Sequence, residues 1–170
     1  MAKVKLILAG LFSLLLAPST VAQEVITTDT HNLEEVAPGV YFAIGNGALY
    51  TMSNALIIER RDDIVVVDSH ITPAAGQALL DSIRVVSDKP ITALINSHFH
   101  YDHANGVPAF GSDVEIIGHE YTRAKLADDP MNEQTFLSSL RRFDNTVTRL
   151  EQELAEASRN ERAELETQLE

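Results

Sequence analysis

The chain of 170 residues contains no cysteine. Disulfides are excluded as the staple of its fold, and any metal site must be built from His, Asp or Glu. Basic charge is scarce. Thirteen Lys and Arg stand against 25 Asp and Glu, a formal charge of −12. So acidic a chain repels phosphates, which excludes nucleic acid as a partner and disfavours an anionic membrane surface. A run long enough to span a bilayer is missing too. The apolar stretch LILAGLFSLLLA, residues 6–17, falls short of the roughly 20 residues a spanning helix needs. There is no internal repeat and no low-complexity linker, and no histidine follows His119.

What is present at the N-terminus fits export. Lys3 and Lys5 precede the apolar stretch, Pro18 and Ser19 break it, and TVA follows. This is the charged, apolar and small-residue order of a secretory signal, expected to be cut after Ala22. Cleavage removes two lysines and moves the charge from −12 to −14. The mature chain is then expected in the periplasm or medium, with no membrane attachment. The 148 residues left suffice for one domain with a sizeable core. The expected division is a signal at 1–22, a partial domain at 23–130 and an amphipathic helical arm at 131–170.

Within the domain, the alternation in GVYFAIG after the Pro38-Gly39 turn predicts a strand. NALIIE at 54–59 predicts another, and Arg60-Arg61-Asp62-Asp63 a polar turn. IVVVD at 64–68 is continuously apolar, as a strand buried on both faces would be. Pro73 then opens a helix whose Leu79, Leu80, Ile83 and Val86 recur at helical spacing, and Lys89-Pro90 ends it. ITALIN at 91–96 predicts a strand parallel to 64–68 through a right-handed crossover. VEIIG at 114–118 predicts one more strand, and 121–127 a helix. In the arm, Phe136, Leu140, Phe143, Val147, Leu150, Leu154 and Ala157 form a heptad seam. Two readings stay open for it: a long helix lying on its own domain, or self-association through 136–157. Beyond the seam Glu161 interrupts, Leu165 and Leu169 resume with a slipped phase, and the helical pattern runs to Glu170 without a stop signal, as a truncated chain would.

The segment NSHFHYDHANG at 96–106 concentrates chemistry. Three of the six histidines and one aspartate fall within six positions. At this composition HxHxDH arises by chance roughly once in a couple of thousand such chains, so coincidence is set aside. Packing gives no reason for the cluster, because adjacent imidazoles and a carboxylate cost desolvation. A divalent cation removes that penalty by accepting their lone pairs. The segment follows a buried strand, at the sheet edge where α/β proteins bind ligands. A curled loop would bring His98, His100, Asp102 and His103 together, whereas a helix would throw His100 to the far side. Ser69 and Ser97 lack the strained elbow of a nucleophile.

This motif, with the upstream strand IVVVDSH and the order strands, helix, strand, motif, resembles the metallo-β-lactamase superfamily over roughly residues 36–127. The helical tail is outside that resemblance. The resemblance implies an α/β fold, the N-terminal half of an αββα sandwich with a C-terminal helical arm. It implies that His98 and His100 bind a first ion, that Asp102 and His103 bind a second, and that Asp102 orients the attacking water. Asp68 either orients a ligand histidine or caps the turn before the Pro73 helix. His70 reads as a loop residue that could line the cleft, His119 as structural, and His31 carries no signal. The family draws further ligands from a second half, absent here, so the chain is expected to be a fragment that is weak or inactive alone. The expectation is an exported zinc hydrolase with two ions in the complete site, iron or manganese being possible. An activated water would attack an ester, thioester or amide-type small molecule. The alternatives are a non-catalytic metal-binding or coiled-coil protein, or an iron-dependent, oxygen-using member of the same fold.

Overall fold

The computed structural model describes residues 25–129, 132–158, 161–162 and 165–167. The expected signal and the helical run into Glu170 lie outside these described residues. Seven strands form one sheet in chain order: β1 Val25–Thr27, β2 His31–Ala37, β3 Val40–Gly45, β4 Ala55–Glu59, β5 Ile64–Val67, β6 Ile91–Asn96 and β7 Glu115–Gly118. β1 to β5 pair antiparallel, while β5, β6 and β7 run parallel.

Connection length explains the switch, because short turns join antiparallel neighbours and parallel ones need a crossover. Gly39, at φ 73°, turns β2 into β3. Arg60 closes the next turn, donating its backbone N–H to the Asp63 carbonyl at 2.8 Å and two guanidinium bonds to the Asp63 carboxylate. Helix α1, Pro73–Val86, makes the crossover to β6. Its start is set by Pro73 and by Thr72, whose hydroxyl accepts the Ala75 N–H at 3.1 Å. Asp68 therefore does not cap this helix.

One sheet face carries the core. Leu33, Ala43, Ile57, Ile64, Val66 and Leu94 are fully buried, and Leu79 and Ile83 of α1 pack on them. The opposite face is less covered: Phe42, Leu56, Ile58, Val67 and Ile95 are half-buried. Burial of 64–68 on both faces holds for Val65 but not for Val67, which is half-buried. The expected parallel pairing of 64–67 with 91–95 is present. β1 and β2 had no expectation. Glu34 and Glu35 break the apolar pattern of β2, and register with β3 rather than hydrophobicity fixes it.

After β6 come a single helical turn, α2 Tyr101–Ala104, and a 3-10 turn at Val107–Ala109. Helix α3, Glu120–Asp128, starts at His119, whose Nδ1 accepts the Tyr121 N–H at 3.1 Å. Helix α4, Gln134–Glu156, meets the body through Phe136 on Tyr101, ring centres 5.2 Å apart, and through Ser139, whose hydroxyl accepts from the Tyr101 phenol at 2.5 Å. Of its seam, Leu150 is buried, while Leu140, Phe143 and Val147 stay 43–44% exposed. The helix stops at Glu156, and Ser158 opens a new turn by accepting the Arg162 N–H while Glu161 receives the Ser158 N–H at 3.0 Å. The Ser158 hydroxyl also donates to the Glu161 carboxylate, at 2.5 Å. Among the described residues no helix is long and apolar enough to cross a membrane.

Candidate metal centre

The motif loop begins where β6 ends. His100 is extended, at φ −63° and ψ 143°, and serves as the N-cap of α2. Its carbonyl receives the N–H groups of His103 and Ala104 at 3.0 and 3.1 Å. The loop is thus a bend followed by one helical turn, a correction to the expected continuous curl. His100 precedes that turn and so is not carried to the far side. The ring centre of His98 lies 4.7 Å from that of His100 and 4.2 Å from that of His103. His103 Nε2 lies 3.2 Å from Asp102 Oδ2. The structure therefore brings together all four motif residues.

Asp68 organises the edge of this group. It is 7% exposed and sits at φ 64°, a left-handed conformation that Asp tolerates better than most residues. Its carboxylate accepts the Ser97 N–H at 2.8 Å, the Ser97 hydroxyl at 2.7 Å and His103 Nδ1–H at 2.8 Å. These bonds fix tautomers. Asp68 accepts from His103 Nδ1–H, so in the neutral ring the lone pair sits on Nε2, facing Asp102. Ser97 has given its only proton to Asp68, so at 3.0 Å it accepts from His98 Nδ1–H, and His98 Nε2 is also left as a donor atom. Burial holds His98 below its ordinary pKa, aided by the neighbouring His103 and His100, which favours the neutral, ligating form.

The donor chemistry fits a cation. A lone pair on His103 Nε2 and a carboxylate oxygen 3.2 Å away repel unless a proton or a metal ion lies between them. The fit is partial: among the described residues no three His, Asp or Glu donors already stand as a set able to hold an ion.

The loop backbone is pinned from two sides. The His103 carbonyl accepts the Ser69 N–H at 2.8 Å and the Ser69 hydroxyl at 3.0 Å. The Asp102 carbonyl accepts the Ser53 hydroxyl. Gly106 donates its N–H to the His70 carbonyl at 3.1 Å, and a Cβ there would fall 1.7 Å from the Ser69 carbonyl oxygen. Only glycine allows that approach. A cavity of about 530 Å³ lies beside the loop, lined by Asn96, Ala104, Asn105 and residues of α3, but by none of the four motif side chains. His70, read from the sequence as a loop residue that could line the cleft, and His31, which carried no signal, are both fully buried and bonded to each other, Nε2 to Nε2, at 3.0 Å. No sequence signal marked His31. His70 stood two residues from Asp68 on the same sheet edge, and that was its only cue.

A sequence model of the Metallo-beta-lactamase superfamily matches residues 50–167. The match runs through α4, which the motif-based resemblance had left outside. A linear primary-alkylsulfatase of Pseudomonas sp. (strain ATCC 19151) is 31% identical over 87 residues, 49% of this chain and 16% of that protein. The 2,4-dinitroanisole O-demethylase subunit beta of Nocardioides sp. (strain JS1661) is 33% identical over 70 residues, 41% of this chain and 22% of that protein. A probable metallo-hydrolase of Bacillus subtilis (strain 168) is 26% identical over 105 residues, 60% of this chain and 30% of that one. The chain thus spans less than a third of the length of these curated relatives. Among solved structures, a metallo-beta-lactamase of Erythrobacter litoralis superposes with TM-score 0.53 at 20% identity, over 62% of this chain and 48% of that one. A metallo-beta-lactamase of Hirschia baltica gives TM-score 0.50 at 26% identity, over 58% and 48%.

Proposed function

The chain belongs to the metallo-β-lactamase superfamily, and from that premise we propose that it carries the metal-binding half of an exported, metal-dependent hydrolase. The observation that carries the reading is the pair of imidazoles, His98 and His103, whose Nδ1 protons are committed to Ser97 and Asp68, leaving Nε2 of each free to ligate. His98 and His100 would hold one ion, and Asp102 and His103 a second. Zinc is the proposed metal, and bound zinc supplies a water of pKa about 7 and polarises the group under attack.

The chain's own residues account for the rest. Asp68 keeps His103 in one tautomer and one orientation. Asp102 presents a carboxylate beside the His103 ring, where it can accept the proton of an attacking water. Ser97 ties the backbone at the end of β6 to Asp68, so the first and last histidines of the motif share one anchor. The substrate class is an ester, and the alkylsulfatase relatives favour a sulfate ester over thioester and amide. Export rests on the basic and apolar N-terminal pattern in the sequence.

Titration of the purified, chelator-stripped chain with zinc, iron and manganese tests the metal, with elemental analysis of the protein as isolated. Uptake abolished by His98→Ala and His103→Ala is expected; no uptake by the wild type overturns the reading. An assay panel of an alkyl sulfate, a carboxylic ester, a thioester and a lactam tests the substrate class. Turnover of the lactam alone would reject the sulfate-ester choice.

A second reading has its own observation. Leu140, Phe143 and Val147 form an exposed apolar row on α4 at heptad spacing. On this reading the heptad row pairs with the same row of a second copy of the chain, and the arm is a self-association element.

A further inference from the structure

The Ser53 hydroxyl carries one proton, and the Asp102 carbonyl it touches can only accept. That proton is therefore committed, and Ser53 must accept from His70 Nδ1, 3.4 Å away. His70 Nδ1 then bears its ring's hydrogen, so His70 Nε2 holds a lone pair. His31 Nε2, at 3.0 Å, must be the donor between the two rings. His31 Nδ1 in turn accepts a hydroxyl proton from Thr30 at 2.9 Å or from Ser82 of α1 at 3.0 Å. Each step follows from the last because a neutral imidazole has one N–H and one lone pair. Both rings are neutral at neutral pH: burial lowers the pKa of His31, and lowers that of His70 to about 4 with help from His31.

We propose that Ser82 or Thr30, His31, His70 and Ser53 form a one-directional hydrogen-bond relay that positions the peptide between Asp102 and His103. The carbonyl at its end belongs to the bond joining the two residues assigned to the second ion. The next carbonyl along, that of His103, is held by Ser69. Among the described residues, the hydrogen bonds of the His98 side chain and the His100 carbonyl go to Ser97, His103 and Ala104 and to no member of the relay. His31 and His70 are thus positioning residues, linking β2 and α1 to one half of the metal centre. The part of this inference that concerns ions rests on the metal reading above; the relay itself does not.

The test uses the full chain, 15N-labelled and metal-free, at neutral pH. Two-bond proton–nitrogen correlation spectra read the tautomers directly. His31 is expected as the Nε2–H form and His70 as the Nδ1–H form; the reverse assignment, or a charged ring, overturns the relay. Ser53→Ala is expected to raise amide hydrogen exchange across residues 98–106 at least tenfold, with β4 and β5 unchanged. Ser53→Thr, which keeps the hydroxyl, is expected to restore protection. Unchanged exchange in Ser53→Ala, or a rise spread equally over the sheet, removes the positioning role. If Ser53→Ala does not fold, the wild-type tautomers decide alone. In zinc competition with a chelator, Ser53→Ala is expected to weaken one ion at least tenfold and the other less than threefold; equal weakening of both counts against the relay. A wild type that takes up no ion sinks the metal reading, while tautomers and exchange still decide the relay.

Discussion

The buried His70 ring makes stability depend on pH in a calculable way. In the unfolded chain its pKa is the ordinary 6.5, and in the folded chain it is lowered to about 4. Burial is the main cause. The neighbouring His31 and His103 lower it further, while the ring's bond to the Ser53 main chain and the charge of Asp68 work in the opposite sense. Between these two values the unfolded chain takes a proton that the folded chain refuses. Acid therefore favours unfolding. The stability tied to the neutral ring is complete above pH 6.5, falls as the pH drops through that range, and levels off below about 4, where the folded form takes the proton too. At 1.36 kcal/mol per pH unit this is about 3 kcal/mol, a large share of the roughly 5–15 kcal/mol that holds a domain folded. His70→Asn isolates it, because Asn does not titrate and accepts the φ of 69° at this position. Urea unfolding of the chelator-stripped proteins from pH 7.5 to 4 is the assay. The wild type is expected to lose about 3 kcal/mol more than His70→Asn, since His31, His98 and the carboxylates titrate in both. Parallel curves for the two proteins would refute the claim that His70 is held neutral by its surroundings.

Three further outcomes are expected. Asp68→Asn removes the acceptor that keeps the proton on His103 Nδ1 and favours the tautomer with Nε2 protonated; zinc affinity in chelator competition should drop about 10- to 100-fold, and an unchanged affinity would remove Asp68 from the site. Gly106→Ala drives a Cβ into the Ser69 carbonyl, and denaturant unfolding should show a loss of about 3 kcal/mol or more; a loss below about 1 kcal/mol would mean that the loop yields easily. Sedimentation at micromolar concentration should show a dimer that Phe143→Lys dissociates, and a wild-type monomer would leave the exposed row on α4 without a role.

Much of the parallel half of the fold was legible because its signals are local. Continuous apolar runs give β5 and β6, and Thr72-Pro73 with a 3.6-residue period gives α1. β1 and β2 were not legible. β1 is only three residues long, Glu34 and Glu35 interrupt the apolar residues of β2, and β2 exists because Leu33 faces Ala43 and His31 faces Gly45 across the ladder, a pairing that no local pattern encodes. The seam of the arm was legible as far as Ala157, and α4 has its C-cap at that residue; beyond it the Ser158 carbonyl accepts the Glu161 and Arg162 N–H groups, where Glu161 interrupts the apolar spacing. At the site, spacing alone disclosed the four motif residues. It could not disclose His31 or Ser53, whose sequence separations from Asp102 run to 71 and 49 positions.

The arrangement around Asp102 and His103 also shows how the loop that carries the four proposed ligands is held largely through its main chain. The carbonyls of residues 100, 102 and 103 carry the loop, accepting from backbone N–H groups and from the hydroxyls of Ser53 and Ser69. Only one nitrogen each of His98 and His103 is used for orientation, and in both the spent atom is Nδ1. Were the loop held through its side chains instead, each anchoring bond would have to break before an ion could bind, and the cost would come out of the ion's affinity. Anchoring through the main chain leaves Nε2 of both rings available and places the structural demand on serines and a glycine. Substitutions at Ser53, Ser69 and Gly106 should for that reason change metal affinity while leaving every ligand atom in the sequence.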